Sequence, residues 1–339
     1  MAPRPRILHA PADVGGHAFG LSRAERELGF ESDVAVVARG PFGYGFDVDL
    51  DSGLSHPVWR RFARRAQFLA TAVNRYDIFH FNFGQTLLTI RRAGRVFDEL
   101  AWLKRRGKTV FVSYQGCDVR PKAACPCRQA HCYAEDRYRQ PAAQRIRRLA
   151  DRVFYLNPDL RYWLPGATFT PYASVDARKI QFVPEPVGDE IVVVHAPTDM
   201  DIKGTSFVID AVEELRTQGL PIRLDLVEGA TRDKVLDRIR AGHVLVDQLL
   251  VGWYGAVAVE AMAVGRPVLC YVREDAAEDN PFGGELPIVR TNVDNLVENL
   301  RRVVEDRELR ATLGTAGRRF ASSSHDPREI AKTILGDVE

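Results

Sequence analysis

Short runs rich in Val, Ile and Leu recur along the chain, each followed by a stretch with helical spacing. This alternation restricts the fold more than any other feature. A strand reaches a parallel neighbour only through a crossover, and a helix is the usual one. In the first half, residues 6–10, 33–37, 78–81, 110–114 and 153–156 read as strands. Helices are expected over 21–28, stopped by Gly29, and near 58–75, 85–106 and 136–150. The Gly-, Asp- and Pro-rich stretch 40–56 reads as loop, and 158–189, rich in proline, as an irregular connection. A second series follows, with strands at 191–194, 222–227, 244–250 and 267–272 and helices at 206–217, 232–241 and 255–264. From residue 293 onward the pattern is helical.

At 339 residues the chain has room for two domains with full cores. Charge divides at the same place. Residues 1–175 carry 27 Lys and Arg against 16 Asp and Glu, whereas 176–339 carry 20 against 29. The expected domains are therefore 1–175 and 176–339. Apolar runs are too short to span a bilayer and the N-terminus lacks a signal-like apolar core, so the expected location is cytoplasmic. On the basic half, Arg60, Arg61, Arg64 and Arg65 share a helical stretch with Trp59 and Phe62. That composition suits weak contact with the inner face of a membrane better than nucleic acid, which is not expected as a partner.

Two segments of the second half carry chemistry. His195-Ala-Pro-Thr-Asp-Met-Asp-Ile-Lys-Gly-Thr lies where a strand gives way to a helix, the end of an α/β sheet at which ligands bind. Lys203 there supplies a point charge for phosphate oxygens, and helix N-terminal amides add to the field. Alone, such a Lys-Gly pair is more often plain surface. Further on, Gly255 opens an apolar helix in which Glu260 is flanked by Val259 and Ala261. A carboxylate is costly there unless paired, either with ligand hydroxyls or with an arginine of the protein.

Glu-Ala-Met-Ala-x-Gly-x-Pro-Val at 260–268, with Lys-Gly-Thr at 203–205, resembles the retaining glycosyltransferases of family 4 (group 1). The resemblance implies an α/β GT-B fold, two Rossmann-like doubly wound parallel-sheet domains facing a central cleft. It implies transfer of a sugar from a nucleotide-diphosphate sugar to an acceptor, with retention and without a catalytic metal. By the same resemblance Lys203 and Gly204 meet the donor diphosphate, Gly255 and Ala256 offer it amides, and Glu260 binds the ribose hydroxyls. Glu228 lies near the base. Gly15 and Gly16 form a glycine loop of the first domain, with His17 and Asp118 as its groups near the acceptor. Closing C-terminal helices are assigned to the second domain.

The chain also departs from the family pattern. The glutamate expected eight positions before Glu260 is replaced by Gly252, with Asp247 and Gln248 nearby as alternative hydrogen-bonding groups and Trp253 and Tyr254 as packing residues. An arginine expected before Lys203 is absent, with Pro197 near its place, and Gln115 stands where many relatives have histidine. Gln115 exchanges no proton near neutral pH. These departures keep a silent nucleotide-sugar-binding homologue or partner subunit open as a second reading, and an epimerase of the same architecture as a third.

Cys117, Cys125, Cys127 and Cys132 fall within one loop region, 117–132, with His131 beside the last. Four thiolates suit a structural Zn²⁺, with an iron–sulfur cluster or free thiols as alternatives. A closed four-ligand site has no position for substrate. The fifth cysteine, Cys270, ends an apolar strand and reads as core. Protein purified without added metal is expected to carry about one zinc per chain by elemental analysis. Iron with visible absorbance would replace zinc by a cluster.

Overall fold

The computed structural model describes residues 4–336 apart from 41, 51–55, 93–94 and 126–129, and the backbone alone for 130–135. The chain forms two units. The first comprises residues 1–125, 129–174 and 327–339, and the second runs mainly from 175 to 326. The last helix thus belongs to the first unit, whereas the sequence reading put all closing helices in the second.

In the first unit the main strands are β1 (Ile7–Ala10), β2 (Ser32–Val36), β3 (Val48–Asp49) and β4 (Ile78–Asn82). A short antiparallel hairpin, β5 (Ile90–Arg92) with β6 (Arg95–Phe97), precedes β7 (Thr109–Tyr114), β8 (Arg152–Tyr155) and β9 (Thr168–Phe169). The seven-stranded sheet has the order β3-β2-β1-β4-β7-β8-β9, with every pairing parallel. Alternate residues supply the two cores. Leu8, Phe79, Phe81, Val110 and Val112 meet helices α2 (Val58–Arg75) and α3 (Leu100–Arg105). On the other face Ile7, Ile78, Phe111 and Phe154 meet α1 (His17–Glu27) and the chain's last helix, Pro327–Leu335. Burial of both faces explains why these strands read as continuous apolar runs.

The remaining helix of this unit, α4 (Ala130–Leu149), starts six residues earlier than the sequence suggests. The expected helix over 85–106 divides into the β5–β6 hairpin and α3. Glu99, just before α3, accepts the N–H groups of Leu87 at 2.8 Å and Leu88 at 3.1 Å, which ties the start of this stretch to the start of α3.

The second unit repeats the plan. Its strands are β10 (Ile191–His195), β11 (Ile222–Leu226), β12 (Val244–Val246), β13 (Val268–Cys270) and β14 (Val289–Arg290), in the parallel order β11-β10-β12-β13-β14. β12 ends four residues before its expected limit, and the residues that follow, Asp247 to Leu249, stay buried. Helices α5 (Met200–Lys203), α6 (Thr205–Thr217), α7 (Arg232–Ala241), α8 (Ala256–Val264), α9 (Glu274–Glu278), α10 (Leu296–Glu305) and α11 (Arg307–Ser324) complete it, followed by α12 (Pro327–Leu335). From Ala258 to Val264 α8 is buried on all sides, which accounts for its uninterrupted apolar sequence. Among the described residues no helix is long and apolar enough to cross a membrane.

Candidate functional site

Each sheet contains one place where the crossovers leave neighbouring strands in opposite directions. In the first unit it lies between β1 and β4, and in the second between β10 and β12. Such switch points leave a crevice at the carboxyl ends of the strands. Lys203, at the end of α5 after β10, and Gly255, the residue before α8, stand at the second crevice.

Lys203 is nearly buried, and its Nζ donates to Oδ1 of Asp247 at 2.6 Å. The other oxygen of Asp247 accepts the N–H of Gly255, also at 2.6 Å. The expected amide of Gly255 is therefore already spent inside the protein. The N–H groups of Ala256 and Val257 lie in the first turn of α8, where helical geometry provides no acceptor, and both residues are partly exposed. Gly204 links α5 to α6 in a left-handed conformation. His195 joins the two strands and α6: Nδ1 donates to the carbonyl of Val246 at 2.8 Å, and Nε2 accepts from the Thr205 hydroxyl at 2.9 Å. Burial lowers its pKa and keeps it neutral.

Glu260 is 4% exposed and accepts from Nε of Arg232 at 2.5 Å. Burial raises its pKa, and Arg232, at the start of α7, opposes that shift. Of the two partners open to this carboxylate, the arginine occupies it here. Glu228 is exposed in the loop after β11, beside the end of β10. At Gly252, φ is +85°, and a Cβ there would overlap Cγ of Arg273. Arg273 is in turn held by Asp275 through two hydrogen bonds of 3.0 Å. A glutamate is thus excluded from this position by backbone and neighbour together. Next to it, Tyr271, Arg273, Asp275, Arg290, Thr291 and Asn295 line a cavity of about 580 Å³ at the ends of β13 and β14. The named alternatives to the glutamate serve internal contacts: Gln248 donates to the carbonyl of Trp253, while Trp253 and Tyr254 are buried and stacked at 4.7 Å.

In the first unit, Gly15 and Gly16 form the turn after β1, both with left-handed φ. A Cβ at Gly16 would enter the ring of Tyr44, so only glycine fits. His17 opens α1 fully buried, its Nδ1 accepting the N–H of Ala173 at 3.1 Å. Burial lowers its pKa to about 3, with His9 adding to the effect. His17 is therefore neutral near physiological pH, with the proton on Nε2. It does not cap the helix it opens. Asp13 does so, accepting from Ala18 at 2.9 Å and Phe19 at 3.3 Å, and an acidic residue shortly before a helix is a signal that was available in the sequence. Burial raises Asp13 to about 6.

Asp118 follows β7 and is separated from the β1 loop by β4, about 10 Å across two strand spacings. Its carboxylate accepts the N–H groups of Gln115 at 2.9 Å and Gly116 at 2.7 Å, and burial raises its pKa to about 6. Asp118 shapes its own loop. In the same loop Cys117 and Cys125 approach to 3.7 Å between sulfurs. Cys127 and the side chain of Cys132 lie outside the described residues, among which no group of three or more potential metal ligands occurs.

Residues 258–336 match a family model described as glycosyl transferase-like. Among curated proteins, none matches this chain. Solved structures of similar architecture include sucrose-phosphate synthase from Thermosynechococcus elongatus, with a TM-score of 0.65 and 19% identity over 98% of this chain and 97% of that one. Anabaena HepE in complex with UDP-glucose gives 0.66 and 17% over 98% of both chains. A Listeria monocytogenes protein described as a UDP-N-acetylglucosamine 2-epimerase gives 0.58 and 16% over 98% and 95%. The fold is GT-B, with two Rossmann-like parallel-sheet units.

The burial of His17 has a measurable consequence. An unfolded histidine titrates near 6.5, the folded one near 3, so acidification favours unfolding across that window. Relative to His17→Asn, the wild-type protein should lose about 2 kcal/mol of stability between about pH 7 and about pH 5. Urea unfolding at the two pH values checks this; a constant difference would place His17 in contact with water.

Proposed function

We propose that the protein is a glycosyltransferase that moves a sugar from a nucleotide-diphosphate donor to an acceptor, with retention of anomeric configuration. The observation that carries the reading is the meeting of Lys203 with the N-terminal turn of α8 at the switch point of the second sheet. A cation and free helix amides form a site for a diphosphate, and Glu260 on the same helix offers a carboxylate to sugar hydroxyls once Arg232 yields. The glycosyl transferase-like match over 258–336 covers α8 almost entirely and supports this reading. Lys203 and the amides of Ala256 and Val257 would stabilise the charge that develops on the departing diphosphate, the main catalytic contribution open to such a site. The first unit would supply the acceptor side, with the Gly15–Gly16 turn and the Asp118 loop as its shaping elements.

The Listeria likeness favours one second reading, an epimerase, because the fold serves both reactions. Products formed without any acceptor separate the two. In a thermal-shift screen of UDP-, GDP-, ADP- and TDP-sugars, one base is expected to raise the melting temperature. Lys203→Ala should then weaken binding of that nucleotide by about tenfold or more, and Glu260→Ala should erase the preference for ribose over deoxyribose. Unchanged affinity in both variants would remove the site assignment.

The remaining expectations belong to the first unit. Two zinc–sulfur bonds of about 2.3 Å at a tetrahedral angle place the sulfurs about 3.8 Å apart. The 3.7 Å between Cys117 and Cys125 fits that spacing, which supports a structural zinc. On α2, Val58 is 78% and Trp59 65% exposed beside exposed Arg60 and Arg64, which supports peripheral contact with anionic lipid at the inner membrane face. Flotation with anionic liposomes should recover the protein at low salt and lose it at high salt. Absence of binding at low salt would end that part of the proposal.

A further inference from the structure

Asp247 is buried at the end of β12 with no exposed side-chain surface. Its two oxygens hold Lys203 and the amide of Gly255, each at 2.6 Å. A cation and a helix N-terminal amide are also the two kinds of group that bind a phosphate. We infer that Asp247 is an internal stand-in for the ligand's phosphate: it keeps Lys203 and the start of α8 in place while the site is empty, and the incoming diphosphate displaces it. The inference rests on the nucleotide-diphosphate reading of this site.

The role follows from the charge balance. Without Asp247, Lys203 would be nearly buried and unpaired, an arrangement that destabilises a fold. With it, the lysine stays paired and fixed, but any ligand phosphate must compete with a carboxylate already in contact. His195, at the neighbouring strand end, has both ring nitrogens engaged with Val246 and Thr205, so it offers Asp247 no second donor. The incoming phosphate therefore gains the cation and the amide only as the carboxylate gives them up.

Asp247→Asn removes the charge and retains an oxygen for the Gly255 amide. Calorimetry of UDP binding reads the affinity of both proteins. D247N should bind UDP about tenfold more tightly or better. Equal or weaker binding by D247N would overturn the inference, since Asp247 would then aim Lys203 at the ligand instead of competing with it. Should D247N fail to fold, a crystal structure of the wild-type protein with UDP decides: the Lys203–Asp247 contact should be broken, and its persistence at 2.6 Å overturns the displacement. A wild-type protein that binds none of UDP, GDP, ADP and TDP is a separate result: it removes the donor reading and this inference with it.

Discussion

Everything placed at the two candidate sites depends on the reversal of strand order within each parallel sheet. Parallel strands all end at one edge, and crossover helices normally cover that edge. Where one crossover turns left and its neighbour right, a crevice is left. β1 and β4 bound one such gap, β10 and β12 the other. The strands themselves have little freedom to contribute chemistry, because Ile7, Leu8, Ile78, Phe79 and their neighbours are consumed by two buried faces. The candidate side chains therefore lie beyond the strand ends: Asp247 directly after β12, Asp118 in the loop after β7, His17 at the start of α1 and Lys203 at the end of α5.

Both crevices lie beside buried polar groups held in pairs. The second unit pairs Lys203 with Asp247 and Glu260 with Arg232. The first pairs Arg120 with Asp159 and His9 with Glu25, and burial holds His17 and His80 far below the usual histidine range. Net charge plays no part in this, because the basic and the acidic half each bury a paired cation. Local geometry decides here. A lysine within contact distance of a helix start sets the field that a ligand meets, while surface carboxylates more than a Debye length away are screened.

Much of this was legible in the sequence. The central strands of both sheets are runs of β-branched and aromatic residues buried on both faces, so their positions follow from composition. The two-residue outer strands β3, β9 and β14 carry no such run; β3 and β9 fall in stretches that read as loop and irregular connection. The helix Arg232–Ala241 falls on its expected limits, and 58–75 is likewise matched by Val58–Arg75. Lys203 and Glu260 stand out because a lysine before a helix and a carboxylate inside an apolar one both need explaining. Their partners are another matter. Asp247 is 44 positions from Lys203 and Arg232 is 28 from Glu260, and no local pattern connects residues that only the sheet brings together. The β5–β6 hairpin was missed because apolar spacing over 85–106 does not separate a short hairpin followed by a short helix from one longer helix.

Gly252 shows how one substitution propagates. Its φ of +85° belongs to a conformation that side chains other than glycine seldom adopt, and the stem of Arg273 fills the space a side chain would need. The backbone N–H of Arg273 donates to the carbonyl of Gly252 at 3.1 Å, so the two residues are fixed to each other along the chain as well as through space. Restoring a glutamate at 252 would require moving Arg273, which would also break its paired contact with Asp275. Glycine, arginine and aspartate thus hold one another in a single cluster. The cavity that adjoins this cluster is lined by Tyr271, Arg290, Thr291 and Asn295, so its wall presents hydroxyls, an amide and a guanidinium, and the cluster itself leaves the guanidinium of Arg273 tied to Asp275.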